Sequence, residues 1–175
     1  MKLTAAVTVA FTALASTATA ESVEVMLSDR LDGNLDFYCL DISGSKENAN
    51  VERGLQTHTC YGYQGEAGID QVFDVASVEE GKLYMPEWDV CATVSDLAAG
   101  AGIELAACDG GETQNITLTE DGHLSPVSAM ELCFTAGEET TRGRGGTSDH
   151  QIKSLTLQAC GDDLAQYQAW ELRAE

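Results

Sequence analysis

Four landmarks recur in the same order three times along the chain, and this repetition constrains the fold more than any other feature. The first series is Asp32-Gly33-Asn34-Leu35, Cys39-Leu40-Asp41-Ile42, Cys60 and Asp70-Gln71-Val72-Phe73. The second is Glu80-Gly81-Lys82-Leu83, Cys91-Ala92-Thr93-Val94, Cys108 and Thr113-Gln114-Asn115-Ile116. The third is Asp121-Gly122-His123-Leu124, Cys133-Phe134-Thr135-Ala136, Cys160 and Tyr167-Gln168-Ala169-Trp170. Each series is an acidic-Gly-x-Leu turn, a first Cys, a second Cys and a Gln-x-apolar ending. The gaps between landmarks vary, which marks loops inserted between fixed elements. The repeats run over about 31–78, 79–119 and 120–173.

The segments between landmarks read as short strands. Val72-Phe73-Asp74-Val75, Ile103-Glu104-Leu105, Ile116-Thr117-Leu118 and Ile152 to Leu157 alternate or are rich in β-branched residues. The Asp-Gly and Glu-Gly pairs supply the positive φ of tight turns. Asp96 to Ala107 resembles a helix, but Gly100 and Gly102 break it, so Val94 to Leu105 is read as strand, turn, strand. The stretch 137–150 has four Gly and little apolar content, and is expected to be a long mobile loop inserted in the third repeat. Three strand-rich repeats fit an open solenoid or a closed threefold arrangement, and closure removes the exposed edges a solenoid would leave.

The first twenty residues have a different composition. Lys2 is the only charge before Glu21, Leu3 to Leu14 is apolar, and Ala18-Thr19-Ala20 has small residues at the positions of a cleavage signature. This predicts a signal peptide over 1–20 and one mature domain over 21–175, secreted or periplasmic. No second apolar run suggests a membrane-inserted helix.

All six Cys lie beyond the signal, and an even count in an exported chain reads as disulfides. Fifteen pairings are open. A sequence-order pairing would close three loops of similar size. No C-x-x-C occurs, so thioredoxin-like redox chemistry and common zinc frames lack support. The formal charge of −20 opposes nucleic-acid binding, because phosphates would be repelled.

Together the landmarks resemble the ricin B-type lectins, the Q-x-W β-trefoils, from Leu31 to about Leu172. Gln-x-Trp is fully kept only at Gln168-Ala169-Trp170. The resemblance implies an all-β fold, a six-stranded barrel capped by three hairpins, with Phe73, Ile116 and Trp170 in equivalent core positions. It also supports bridges within each repeat: Cys39–Cys60, Cys91–Cys108 and Cys133–Cys160.

A sugar site of this family takes an Asp two residues after the first Cys, an aromatic two before the second Cys, and an Asn-Gln pair from the ending. The carboxylate accepts hydrogen bonds from sugar hydroxyls. The ring stacks on the sugar's apolar face. Carried over residue by residue, repeat one has Asp41, His58, Asp70 and Gln71, with His for the aromatic and Asp for Asn. Tyr61 and Tyr63 offer a replacement platform. Repeat two has Thr93, Ala106 and Thr113-Gln114, and repeat three has Thr135, Gln158 and Tyr167-Gln168, so neither is expected to bind. The non-ligand reading of the first repeat has Asp41 capping the turn at Ser43-Gly44, Gln71 bonding only backbone and His58 facing solvent.

The resemblance therefore implies a carbohydrate-binding protein, for a galactose-type sugar or glycan, with at most one family-type site. The alternative is a trefoil that binds a protein partner through the loop 137–150, as an inhibitor or toxin-accessory subunit would. No enzyme activity, cofactor or metal is expected. There is no Gly-x-Ser-x-Gly, and His58, His123 and His150 fall in different segments with nothing in the repeat pattern to join them. Arg142 and Arg144 concentrate positive charge in the 140–147 stretch of an acidic chain, which suits an anionic ligand or partner.

Overall fold

A computed structural model describes residues 21–174 except 45, 63 and 64, and leaves the side chains of 47 and 65–67 undescribed. The expected signal peptide and Tyr63 lie outside the described residues.

Three groups of four strands follow one another. The first holds β1 (Ser22–Leu27), β2 (Tyr38–Ile42), β3 (Leu55–Thr59) and β4 (Val72–Asp74). The second holds β5 (Tyr84–Met85), β6 (Val90–Val94), β7 (Ile103–Ala106) and β8 (Ile116–Leu118). The third opens with β9 (Leu124–Pro126) and β10 (Leu132–Ala136). An extra hairpin follows, β11 (Thr141–Arg142) and β12 (Gln151–Lys153). The group then closes with β13 (Leu155–Ala159) and β14 (Trp170–Ala174).

Within each group the second and third strands form a hairpin, β2 with β3, β6 with β7 and β10 with β13, all antiparallel. Each hairpin carries one disulfide: Cys39–Cys60, Cys91–Cys108 and Cys133–Cys160. Between groups, the last strand meets the first strand of the next. β8 pairs with β9, β4 packs beside β5, and β14 returns to pair with β1 from Val23↔Ala174 to Leu27↔Trp170. The ring therefore closes on itself, and the fold is an all-β trefoil.

Phe73, Ile116 and Trp170 are buried in the common core. The indole N–H of Trp170 donates to the Phe134 carbonyl at 2.9 Å, so the largest side chain satisfies its polar atom while burying its rings. The turn glycines are tied to these positions. Ile116 N–H donates to the Gly81 carbonyl at 2.8 Å and Trp170 N–H to the Gly122 carbonyl at 2.7 Å. Gly81 and Gly122 adopt φ of 84° and 85°, a conformation that penalises any residue with a Cβ.

Two expectations need correction. The Asp32-Gly33 turn is not the counterpart of Glu80-Gly81 and Asp121-Gly122. It lies between β1 and β2, whereas the other two precede β5 and β9. The first strand of repeat one is Ser22–Leu27, upstream of residue 31. Asp-Gly pairs satisfy turns wherever they occur, so one pair was matched out of register.

The stretch 137–150 is not a structureless loop. It contains β11 and a tight turn at Gly143–Gly146, and it leads into β12, which joins the free edge of β3 with Ile152 opposite His58 and Lys153 opposite Thr57. Covering an exposed edge is a strong reason to order such a segment. Lys153 anchors it. This fully buried ammonium lies 2.7 Å from Asp32 Oδ2 and donates to Glu138 O and Thr140 Oγ1 at 2.8 Å each.

Candidate functional site

The Gln of each repeat's ending builds the same bracket in all three repeats. In repeat two, Gln114 Nε2 donates to Thr93 Oγ1 at 3.0 Å and to the Ala107 carbonyl at 2.9 Å, while its Oε1 accepts from Asp109 N–H at 2.8 Å. In repeat three, Gln168 Nε2 donates to Thr135 Oγ1 at 2.9 Å and to the Ala159 carbonyl at 3.0 Å, and Oε1 accepts from Gly161 N–H at 3.0 Å. In repeat one, Gln71 Nε2 donates to Asp41 Oδ2 at 3.0 Å and to the Thr59 carbonyl at 3.2 Å, and Oε1 accepts from Tyr61 N–H at 2.9 Å. The carboxamide thus clamps the residue two after the first Cys to the backbone on both sides of the second. The clamp is structural in every repeat, and only repeat one puts a carboxylate in it.

Asp41, His58, Asp70 and Gln71 are brought together, but as a buried cluster rather than an open ledge. Asp41, Asp70 and Gln71 have no exposed surface, and His58 is 5% exposed. Asp41 accepts from Gln56 Nε2 at 2.8 Å as well as from Gln71, and does not cap the turn at Ser43-Gly44. Burial, with the nearby Asp70 carboxyl, pushes Asp41 well above the usual carboxylate range. Asp70 is also raised by burial, against the Lys46 N–H that its Oδ2 accepts at 2.9 Å. Gln71 has both amide hydrogens and its oxygen engaged, so it positions Asp41 and has no group left for a ligand.

His58 does not face solvent. Its Nδ1 lies 2.8 Å from its neighbour's carbonyl, Thr59 O, which can only accept, so the proton sits on Nδ1 and Nε2 is an acceptor. Burial depresses its pKa to about 4, keeping the ring neutral at physiological pH. It packs with two half-buried rings. Tyr61 lies at 5.1 Å between centroids and His150 at 5.2 Å, with Tyr61 and His150 5.6 Å apart. Burial raises the Tyr61 hydroxyl, helped by Asp41 and Asp70.

The expectation that nothing joins the histidines fails for this pair, because β12 carries His150 from the third repeat onto the first. His123 lies near Cys133 and Cys160, but both sulfurs are spent in a disulfide and offer no thiolate.

These rings form one wall of a cleft of about 670 Å³. Lys46 and Gly44 border it from repeat one, and Arg144, Ser148 and Asp149 from the β11–β12 turn. The cleft thus offers aromatic faces, hydroxyls, one carboxylate and two cations. Lys46, Arg144 and His150 were not assigned to the site from sequence. The edge pairing that brings two of them there joins residues about a hundred positions apart.

The family model described as the ricin-type beta-trefoil lectin domain matches residues 79–175. No curated protein sequence matches the chain. Among solved structures, an earthworm lectin C-terminal domain mutant in complex with 6'-sialyllactose aligns over 89% of this chain and 99% of its own, with 13% identity and a TM-score of 0.59. The agglutinin from Abrus precatorius aligns over 92% of this chain and 51% of its own, at 16% identity and 0.59. The Vibrio vulnificus hemolysin/cytolysin beta-trefoil lectin with N-acetyl-D-lactosamine bound aligns over 90% and 97%, at 16% and 0.50.

Proposed function

The chain belongs to the ricin-type β-trefoil lectin domain family, and from that membership we propose that it is a carbohydrate-binding protein whose one sugar site is the cleft above Asp41 in repeat one. The observation that carries this reading is the asymmetry of the brackets. Repeats two and three hold Thr93 and Thr135 where repeat one holds Asp41, and among the described residues the repeat-one bracket alone adjoins a cluster of packed aromatic rings. Tyr61 and His150 take the apolar face of the sugar, and Ser148 and Asp149 bond its hydroxyls. Asp41 and Gln71 act from beneath, holding the Tyr61 backbone in place.

A galactose-type sugar or glycan is the proposed ligand. The structural relatives described above were solved with 6'-sialyllactose and with N-acetyl-D-lactosamine, which supports the sugar class. The domain acts as a binding module and not as an enzyme. Three disulfides suit an oxidising compartment, so the proposed location is secreted or periplasmic. No helix among the described residues is long and apolar enough to cross a membrane. A single shallow site of about −4 kcal/mol binds near millimolar, so useful avidity requires several copies or several sites.

The test is a multivalent glycan array probed with the oxidised protein beside Tyr61→Ala. Binding by the parent and loss in the variant is the expected result, with unchanged far-UV circular dichroism. Equal binding by both moves the site away from this cleft. No binding by the parent at high avidity overturns the lectin reading.

A further inference from the structure

We propose that the cleft selects acidic carbohydrate, a galactose-type sugar carrying a carboxylate or sulfate that Lys46 and Arg144 hold. This deepens the carbohydrate reading and rests on it.

The first support is the distribution of cations. The chain has eight Lys and Arg beyond residue 20 against a formal charge of −20. Four of them are spent in ion pairs: Lys82 with Glu80, Arg142 with Asp149, Lys153 with Asp32, and Arg173 with Glu24 and Asp36. Arg30 lies over the Phe37 ring. Arg53, Lys46 and Arg144 form no ion pair among the described residues; Arg53 does not border the cleft, whereas Lys46 and Arg144 both do. They come from different repeats, 98 positions apart in sequence, and meet there only because β12 joins β3.

The second support is backbone conformation. Among the described residues only four other than Gly have positive φ, and two of them are Lys46 at 51° and Arg144 at 52°. A long side chain in this region costs about 1–2 kcal/mol relative to Gly. Gly143 and Gly145 flank Arg144, so glycine is readily used in this turn. Lys46 N–H donates to the Asp70 carboxyl at 2.9 Å, which holds the residue in this conformation. A strained backbone at both cleft cations is the pattern expected where side-chain identity serves a ligand.

Among the described residues, the carboxyl groups nearest the cleft cations are either paired or buried. Asp149 borders the cleft but lies 3.5 Å from Arg142. Asp41 and Asp70 are not among the residues that border the cleft; Asp70 interacts electrostatically with Lys46, but burial disfavours the ionised forms of both carboxyls. Distant surface acids are screened over about 8 Å at physiological salt, so the near cations dominate what a bound anion meets.

The experiment measures binding of two matched pairs by calorimetry. The first pair is oligogalacturonate and its methyl ester, and the second is a sulfated galactan oligosaccharide and its desulfated form. In at least one pair the acidic member is expected to bind about tenfold more tightly, the ratio that ~1.4 kcal/mol of charge-assisted contact produces. Which pair shows the preference tells carboxylate from sulfate. The preference should fall as salt is raised, and should collapse in the double variant Lys46→Gln, Arg144→Gln. Equal binding within both pairs overturns this inference and leaves the carbohydrate reading standing. A preference that survives in the double variant overturns the assignment of the anion to these residues. No binding to any of the four overturns both.

Discussion

Truncating the bracket glutamines separates what holds the fold from what serves the ligand. Gln168 makes three hydrogen bonds from a buried carboxamide, and Gln114 makes four, with Gly110 N–H at 3.3 Å sharing the Oε1 that Asp109 N–H already occupies, so each glutamine fills three hydrogen-bonding positions. At about 1 kcal/mol net per bond, Gln114→Ala and Gln168→Ala should each destabilise the protein by about 3 kcal/mol. Gln71→Ala loses the same three contacts but also strips one of two donors from a fully buried carboxyl. Leaving that acceptor half-satisfied adds about 1–2 kcal/mol, so Gln71→Ala should cost about 4–5 kcal/mol. The assay is urea unfolding with disulfides intact, paired with sugar binding under native conditions. All three variants should lose stability, and only Gln71→Ala should lose binding. The bracket argument is refuted if Gln114→Ala or Gln168→Ala costs under about 1 kcal/mol, or if Gln71→Ala costs no more than the others.

Three further outcomes follow from the structure. The depressed His58 pKa of about 4 means that the unfolded chain takes up a proton between pH 6.5 and 4 that the folded chain refuses. Stability should therefore fall on acidification by up to about 3 kcal/mol in this window, and the parent-minus-His58→Gln difference in unfolding free energy should show it. That difference isolates His58 from Asp41 and Asp70, whose raised values act in the opposite direction, their destabilisation growing as pH rises above the usual carboxylate range. Lys153→Met removes a buried ammonium from Asp32, whose side chain is 34% exposed and can rehydrate, so the loss should be about 2–4 kcal/mol by chemical denaturation. Arg144→Gly relieves a left-handed arginine and should raise the melting temperature slightly or leave it unchanged, while weakening acidic-sugar binding. A variant that melts lower would refute the strain argument.

Much of the architecture was readable because its determinants are local. Each Cys pair spans one hairpin, each Gln closes the bracket of its own repeat, and Trp170 kept the aromatic that marks the third ending. The registers that misled were those with degenerate signals. Asp32-Gly33 looks like its counterparts because any tight turn accepts that pair, and β1 hid because no landmark precedes it. The cleft was only half readable. Asp41, His58 and Tyr61 follow from spacing around Cys39 and Cys60. Lys46 was missed because nothing marks it locally. His150 and Arg144 reach the cleft through an edge pairing between repeats, and no local pattern encodes which edge an inserted hairpin will cover.

The long register between β1 and β14 bears on how this protein is made. The hairpins and their disulfides can form as each repeat emerges, because every contact they need lies within a few tens of residues. β1 cannot gain its partner over Val23 to Leu27 until Trp170 to Ala174 has been synthesised. The barrel therefore stays open throughout elongation and closes as a late, non-local step. Slowing the docking of β14 should lengthen the window in which a quality-control protease can attack, even in a variant whose final stability is unchanged.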